Sequence, residues 1–235
     1  MRLPVHEGAT ASQAAGAEAA ARIRTAAAED VRFLASVLEM SGRGHLARGA
    51  WDLLFPDAGE RRRALEHFAG GDAMSWCHRS LFHVAELGGQ ACAALVAFDP
   101  ADLGDTSLAA PLFESFALLG WPPECIAETT ERIAPYMTCF PEMPPGTWIV
   151  ENVGTREDAR RRGLVQALLD HVLDLGRAKG CRLAQISCLI GNDAARSAYE
   201  RAGFEVVEER RDPGFEALMG APGFSRMTRG LSEER

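Results

Sequence analysis

The stretch from residue 147 to residue 210 most constrains the fold, because strand and helix patterns alternate along it. Three apolar runs typical of strands are separated by two segments with apolar residues at helical spacing. The strand patterns cover residues 147–155, 182–190 and 204–210, and the helical ones cover residues 163–179 and 192–202. This succession predicts a partly parallel sheet with helices on its faces.

The flanking segments add antiparallel elements to that sheet. Two apolar runs, residues 81–87 and 91–98, surround Gly88 and Gly89, which suit the positive φ of a tight turn, so a hairpin is expected. The remaining patterns predict strands at residues 23–25 and 224–231, helices at residues 28–40 and 59–68, and a loop at residues 212–223. The fold class expected is therefore mixed α/β with about six to seven strands.

Residues 99–146 interrupt this alternation. They contain two helical patterns, residues 108–119 and 124–137, and their apolar and aromatic content argues against disorder. We expect an inserted helical segment, called the flap below, with Phe113, Phe116 and Trp121 lining an apolar pocket. The alternative is that the insertion only stabilises the fold and does not contact the substrate.

Composition excludes several classes of protein. The chain has 235 residues with 47% hydrophobic and 25% charged residues, as in globular proteins, and a net charge of -8 that argues against nucleic-acid binding. No apolar run has the length of a membrane-spanning helix. The six cysteines show neither a CxxC pair nor zinc-ligand spacing, so we expect reduced thiols in a cytoplasmic protein and no metal. Residues 1–20 are interpreted as a tail and residues 21–235 as a single domain.

Three consecutive arginines, residues 160–162, precede the helix that begins near Gly163. The helix N-terminus carries a partial positive charge, so a sequence selected for stability alone would place acidic residues there. A strand, a basic glycine-containing turn and a helix N-terminus form an arrangement that binds phosphate through free N–H groups and arginine side chains. The alternative is that these are solvated arginines paired with Glu157, Asp158 or Asp170.

The stretch "ENVGTREDARRRGLVQALL" resembles the acyl-CoA-binding motif of the GNAT acetyltransferase superfamily. That motif is an Arg/Gln-x-x-Gly-x-Gly/Ala turn between a strand and a long helix. Arg160, Gly163 and Val165 occupy its positions, and Val165 departs from the usual Gly or Ala.

A second stretch, "NDAARSAYERAGF", resembles the downstream signature of the same superfamily. It matches at Asn192, Ala195, Tyr199, Gly203 and Phe204. The stretch "RIRTAAAEDVRFLASVL" looks like the first strand and helix of that fold, so the resemblance covers roughly residues 21–231 apart from the insertion. It implies a centrally splayed GNAT-like sheet with helices on both faces and a helical insertion between strands 3 and 4.

The resemblance also implies acetyl-CoA as the co-substrate. In that family the turn amides hold the CoA pyrophosphate, and the end of the preceding strand pairs through its backbone with the pantetheine arm. The cofactor-binding residues expected on this basis are Val153, Thr155, Arg160, Arg161, Arg162, Gly163, Leu164, Val165 and Asn192.

Two residues are expected to carry the chemistry. The resemblance places the hydroxyl of Tyr199 near the CoA sulfur as the acid, whereas a core aromatic is the alternative. Glu151, on the strand before the turn, is the candidate base, and a buried salt bridge is the alternative. Regular alternation would place Glu151, Val153 and Thr155 on one face. Asn192 equally suits a helix N-cap.

These observations lead to an acetyl-CoA-dependent N-acetyltransferase acting on a primary amine, with a small molecule as the expected acceptor, by direct attack in a ternary complex. A non-catalytic CoA-binding sensor on the same fold is the alternative. A nucleotide-binding domain is disfavoured because the chain has neither GxGxxG nor GxxxxGK[ST]. No nucleic-acid or membrane partner is expected, and a homodimer would be common for the family.

Overall fold

A computed structural model of the protein describes residues 21–103 and 108–231. The tail expected at residues 1–20 lies outside these ranges. The described residues form one seven-stranded sheet with the order β1-β2-β3-β4-β5-β7-β6. Its strands are β1 (Arg22–Thr25), β2 (Phe82–Leu87), β3 (Gln90–Phe98), β4 (Trp148–Thr155), β5 (Leu183–Leu189), β6 (Glu205–Arg211) and β7 (Gly223–Gly230).

Helices connect these strands. They are α1 (Val31–Arg43), α2 (Ala50–Leu54), α3 (Ala58–Gly70), α4 (Pro100–Leu103), α5 (Ala109–Leu119), α6 (Pro123–Met137), α7 (Leu164–Lys179), α8 (Asp193–Arg201) and α9 (Pro213–Met219). The short helices α2 and α4 were not predicted from the sequence. The others except α9 lie close to their predicted positions.

Within the described residues, β4 and β5 form the one parallel pair of the sheet, and all other neighbours are antiparallel. The β2–β3 hairpin turns through Gly88 and Gly89, whose φ values are 58° and 80°. The mixed sheet, the hairpin and the helices inserted between β3 and β4 confirm the predicted fold class.

The sheet splits in the middle, between β4 and β5. The two strands pair only from Trp148 to Val150 on β4 and from Ala184 to Ile186 on β5. Beyond this point β4 continues along β3 to Thr155, while β5 continues along β7. The strands therefore separate from Glu151 onwards and leave a gap in the sheet, as the predicted central splay requires.

A bulge changes the direction of the side chains along β4. Asn152 has a φ of 53°, and the register with β3 shifts at this point. Ile149 packs into the core on the α1 side, whereas Val153 packs against the core on the α7 side. The regular alternation expected for this strand is therefore broken, because the bulge inserts one unpaired residue.

Apolar side chains form a core on each face of the sheet. On one face α7 packs with the stripe Leu164, Leu168 and Val172, and α8 adds Tyr199. On the other face α1, α2, α3 and α5 pack together over β2 and β3. Helix α7 ends at Gly180, in the left-handed region with a φ of 90° and after the basic Lys179, as the sequence predicts.

The segment expected to be a loop at residues 212–223 contains helix α9. Asp212 caps this helix by accepting a hydrogen bond from the N–H of Phe215 at 2.8 Å, and Pro213 occupies the first turn. Phe215 and Met219, four residues apart, are buried in a third apolar cluster that includes Leu53 of α2. The Asp-Pro start and this spacing are a helix signal. No helix in the described ranges is long and apolar enough to cross a membrane.

Candidate active site

A cavity of about 1400 Å³ occupies the gap between β4 and β5. Its walls come from the ends of α1 and α2, from β4 and β5, from the turn before α7, from α8 and from the flap. A single drug-sized ligand takes a pocket of about 300–1,000 Å³. The cavity is therefore large enough for two substrates to be bound together.

One end of the cavity is built for an anion. Arg161 and Gly163 have φ values of 62° and 73°, so the backbone curls before α7. The first helical hydrogen bond runs from Ala167 N–H to the Gly163 carbonyl, and within the described residues the N–H groups of residues 161–166 donate to no backbone carbonyl. These free donors lie at the positive end of a 16-residue helix.

The arginines at this turn do not make the ion pairs considered as an alternative. Asp158 instead binds the guanidinium of Arg156 at 2.6 Å. Within the described residues, the exposed arginines 160–162 form no salt bridge. Arg160 and Arg161 line the cavity, whereas Arg162 does not. The turn therefore offers two arginines to a ligand in the cavity.

The strand end and the first residues of α7 also line the cavity. They include Val153, Thr155, Gly163, Leu164 and Val165, which the sequence resemblance predicts to bind the cofactor. The Thr155 hydroxyl is buried without a hydrogen-bond partner. Leu164 is buried, and Val165 packs in part against the core beneath α7. The valine that departs from the family pattern thus has apolar neighbours for its larger side chain.

Asn192 lies at the start of α8, in the cavity wall. Its side-chain oxygen accepts a hydrogen bond from the N–H of Ala195 at 3.3 Å, so it is an N-cap. Its side-chain nitrogen lies beside Gly44 at the end of α1. The capping role and a role toward a ligand use opposite ends of the same amide, so they are compatible.

Glu151 is the acidic residue of the cavity wall at the start of the gap. Burial raises the pKa of its carboxyl group to about 8, against a smaller opposing contribution from the backbone N–H of Asn152. Within the described residues Glu151 forms no salt bridge, so the expected alternative of a buried ion pair is not found. A carboxyl group with a pKa near neutrality suits proton transfer.

Tyr199 of α8 is buried and lines the same cavity. Burial raises the pKa of its hydroxyl, with further contributions from Cys188 and Glu151. Burial likewise raises the pKa of Cys188 to about 11. Both groups therefore keep their protons near neutral pH. The structure brings Tyr199 and Glu151 into one cavity, as the sequence-based hypothesis requires.

The flap contributes different residues from those expected. Phe113 is 64% exposed on the outer side of α5. Phe116 and Trp121 stack on each other with centroids 5.4 Å apart, in the core on the α1 side. None of the three lines the cavity. The flap residues that do are Leu108, Leu112, Ile133, Tyr136, Met137, Phe140, Pro141 and Met143.

Sequence reasoning did not identify these wall residues or Trp76. Leu112 of α5 follows Leu108, the N-cap of that helix, by four residues, and Ile133 and Tyr136 share one stripe of α6, so helical spacing was available as a signal. That spacing cannot tell which stripe faces a cavity. Within residues 21–103 and 108–231, no cluster of three or more His, Cys, Asp or Glu side chains could hold a metal ion.

The split sheet, the anion-binding turn before α7, the half-buried Glu151 and the buried Tyr199 are the features of an acyl-transferring class of enzyme. The chain belongs to the acetyltransferase (GNAT) family, whose model matches residues 50–204. Its general activity is therefore acetyl transfer.

Solved structures show the same fold. The chain is similar to a solved acetyltransferase at 19% identity and a TM-score of 0.63, over 90% of this chain and 100% of that one. It is also similar to the N-acetyltransferase from Staphylococcus aureus Mu50 at 19% identity and a TM-score of 0.62, over 88% of this chain and 100% of that one. No curated protein sequence matches this chain significantly.

The residues present fit acetyl-CoA. Among the described residues, the turn supplies unpaired N–H groups and arginines for a diphosphate, and no strand pairs with the inner edge of β4 from Glu151 on. An extended amide-containing chain can pair with such an edge. The side chains of Val153 and Val165 pack in part against the core beneath α7.

Proposed function

We propose that the protein transfers an acetyl group from acetyl-CoA to the primary amine of a small-molecule acceptor by direct attack in a ternary complex. The observation that carries this proposal is the single cavity, in which the anion-binding turn, Glu151, Tyr199 and the flap all take part. Two substrates bound at its two ends would meet between Glu151 and Tyr199.

When bound, acetyl-CoA supplies an activated acyl thioester. Residues Arg160, Arg161 and Gly163 hold its diphosphate, and Val153 and Thr155 offer backbone groups to its amide-containing arm. Glu151, as the carboxylate, accepts a proton from the acceptor amine as the new N–C bond forms. Tyr199, which keeps its proton because burial raises its pKa, donates to the departing sulfur as the C–S bond breaks.

Direct transfer is favoured over an acyl-cysteine relay. Cys188 is the cysteine among the described cavity residues. Burial raises the pKa of its thiol to about 11, so the nucleophilic thiolate is scarce near neutral pH. A relay through this residue would need the form that its surroundings disfavour.

The experiment is a pair of measurements on the full chain. Acetyl-CoA should raise the melting temperature in a concentration-dependent manner, whereas ATP and NAD should not. Acetyl-CoA with a panel of primary amines should then release free thiol with one-to-one formation of the acetylated amine. Absence of stabilisation by acetyl-CoA would contradict the proposal. Stabilisation without acetylation of any amine would favour the non-catalytic CoA-binding alternative.

A further inference from the structure

The end of the cavity that the flap lines, called the flap end below, restricts the kind of amine that can bind as acceptor. We infer that the acceptor is a monoamine on an aromatic or similarly flat apolar body, without a carboxylate or a second cationic group. This inference rests on the proposed function for the identity of the reacting group. It depends on the wall of the flap end, which is independent of the cofactor-binding turn.

Aromatic rings form one wall of the flap end. Tyr136 of α6 meets Phe224 of β7 edge to face, with centroids 5.7 Å apart. Phe140 stacks on Trp76 at 6.1 Å and 27°. All four rings line the cavity, and Phe215 stacks behind Tyr136 at 5.5 Å. Rings held in this way favour edge-to-face or offset contact with another ring.

Aliphatic side chains from the flap complete the enclosure. Leu112 of α5, Ile133 of α6 and Met143 line the cavity, and each also packs against the core on the α1 side. Burying an apolar body among them releases about 25 cal/mol for each Å² removed from water. A strongly hydrated acceptor would gain nothing from these contacts.

The charged side chains in the cavity wall determine which amines the flap end can bind. Within residues 21–103 and 108–231, the charged residues lining the cavity are Glu151 and three arginines, Arg160, Arg161 and Arg201. The first two arginines lie in the turn before α7, and Arg201 lies at the end of α8. Among the described flap residues that line the cavity, none carries a charge. Among the residues that the structure describes, the flap end thus has one carboxyl group, that of Glu151, for one ammonium group.

A second charge on the acceptor would lack a partner there. Among the described residues of the flap end, a carboxylate would be buried beside rings with no cation, and a second ammonium would have no second anion. Burying an unpaired charge is strongly unfavourable. The described part of the wall therefore disfavours amino acids because of their carboxylate and polyamines because of their additional cations.

Three amines test the contributions of the ring, the carboxylate and the additional cations separately. The compound 2-phenylethylamine has a ring and one amine, L-phenylalanine adds a carboxylate to the same skeleton, and spermidine replaces the ring with further amines. Binding is measured by calorimetry with CoA present, and turnover is measured by thiol release from acetyl-CoA. We expect 2-phenylethylamine to bind more tightly than the other two amines, and to be turned over with a higher kcat/KM, by about 100-fold or more in each case.

Two adjacent residues of α5 give a matched pair of variants. Leu112 lines the cavity, whereas Phe113 is 64% exposed and does not. Leu112→Ala should weaken binding of the phenylethylamine about tenfold through lost apolar contact. Phe113→Ala should leave it unchanged. The Kd for acetyl-CoA should stay the same in both variants, which also shows that both are folded.

The outcomes distinguish this inference from the proposed function. Preference for spermidine or L-phenylalanine in binding and turnover would overturn the inference and leave acetyl transfer intact. Equal effects of Leu112→Ala and Phe113→Ala on amine binding would also overturn it. Selective binding of the phenylethylamine without thiol release would support the acceptor class and contradict the proposed transfer.

Discussion

Tyr199 lies within the field of the Glu151 carboxylate: burial is the main cause of the raised pKa of the tyrosine hydroxyl, and the charge of Glu151 adds to it. The two groups come from different elements, the bulged strand β4 and the helix α8. Burial acts on them in the same direction, since both become harder to ionise. A proton acceptor with a pKa near neutrality and a retained phenolic proton thus share one cavity.

Glu151→Gln should lower kcat by about 100-fold or more, because an amide cannot accept the proton of the amine. The rate of the wild type should rise with pH through about 8 as the carboxyl group ionises, and the variant should lose this dependence. The pH profile of kcat under saturating substrates is the measurement. A variant that keeps both the rate and the rising limb would exclude Glu151 as the base.

The same carboxyl group should make stability depend on pH. Burial raises its pKa from 4.5 to about 8, so the folded state holds this proton more tightly than the unfolded state does. That stabilisation is complete below about 4.5 and is lost as the pH rises through about 8. Glu151→Gln should therefore melt higher than the wild type at about pH 9, with a smaller difference at about pH 5.

In a chain of this size, a gain of 1 kcal/mol in the free energy of unfolding raises the melting temperature by about 2–4 °C. The matched control is Glu128→Gln, at an exposed position of α6. Its melting curve should follow the wild type at both pH values. If Glu128→Gln and Glu151→Gln shifted the melting temperature equally, the effect would come from net charge and not from burial.

Arg160→Ala should weaken acetyl-CoA binding about tenfold or more, because a charge-assisted hydrogen bond to phosphate is lost at a turn that faces the cavity. Arg162→Ala removes the same charge from the same turn, but Arg162 does not line the cavity. Its effect should be smaller and should disappear in high salt. Calorimetric titration of each variant with acetyl-CoA at two salt concentrations measures the affinity and its dependence on salt. Equal losses at high salt would show that only the overall charge of the turn matters.

Tyr199→Phe should lower kcat about tenfold to 100-fold and leave the Kd of acetyl-CoA unchanged, because only the proton donor is removed. The chain has two tyrosines, and both line the cavity, so Tyr136→Phe is the matched control. It keeps the aromatic wall and should retain kcat. A loss of kcat in Tyr136→Phe with full activity in Tyr199→Phe would reassign the acid.

Two variants of Asn192 separate its capping role from its proposed contact with the cofactor. Asn192→Ala should lose about 1 kcal/mol of stability, because the N–H of Ala195 loses its acceptor. Asn192→Asp keeps a capping oxygen and loses the side-chain N–H donor. We expect both variants to bind acetyl-CoA more weakly, with only Asn192→Ala less stable in thermal unfolding. Wild-type affinity in Asn192→Asp would limit Asn192 to capping.

Local sequence patterns predicted much of the fold because the relevant interactions are local. The turn at Gly88 and Gly89 needs only residues that accept positive φ, and α7 follows from its apolar stripe and its glycine cap. Helix α9 was missed although Asp212 and Pro213 marked its start, because the glycines around it indicated a loop. The anion-binding turn also follows from local sequence, since one strand end, one turn and one helix N-terminus form it.

The side-chain directions in the site could not be predicted in this way. The bulge at Asn152 depends on how β4 pairs with β3, and it breaks the alternation on which the orientation of Glu151 was argued. The outward position of Phe113 and the inward position of Leu112 depend on how α5 packs against the core. Neither is encoded by spacing alone, because a helix or strand presents several faces and its neighbours select one.

The sequence by itself determined the elements, the turn before α7 and the residue types available for acid–base chemistry, because dihedral preferences and apolar periodicity act over a few residues. Only the tertiary structure decided that Arg160 and Arg161 form no salt bridge with any described residue in the cavity wall, while Asp158 binds Arg156. It also decided that the half-buried Glu151 lies at the gap between β4 and β5, where loss of hydration raises its pKa. Pairing and burial depend on residues distant in sequence, so they exist only once the sheet has split and the flap has packed over it.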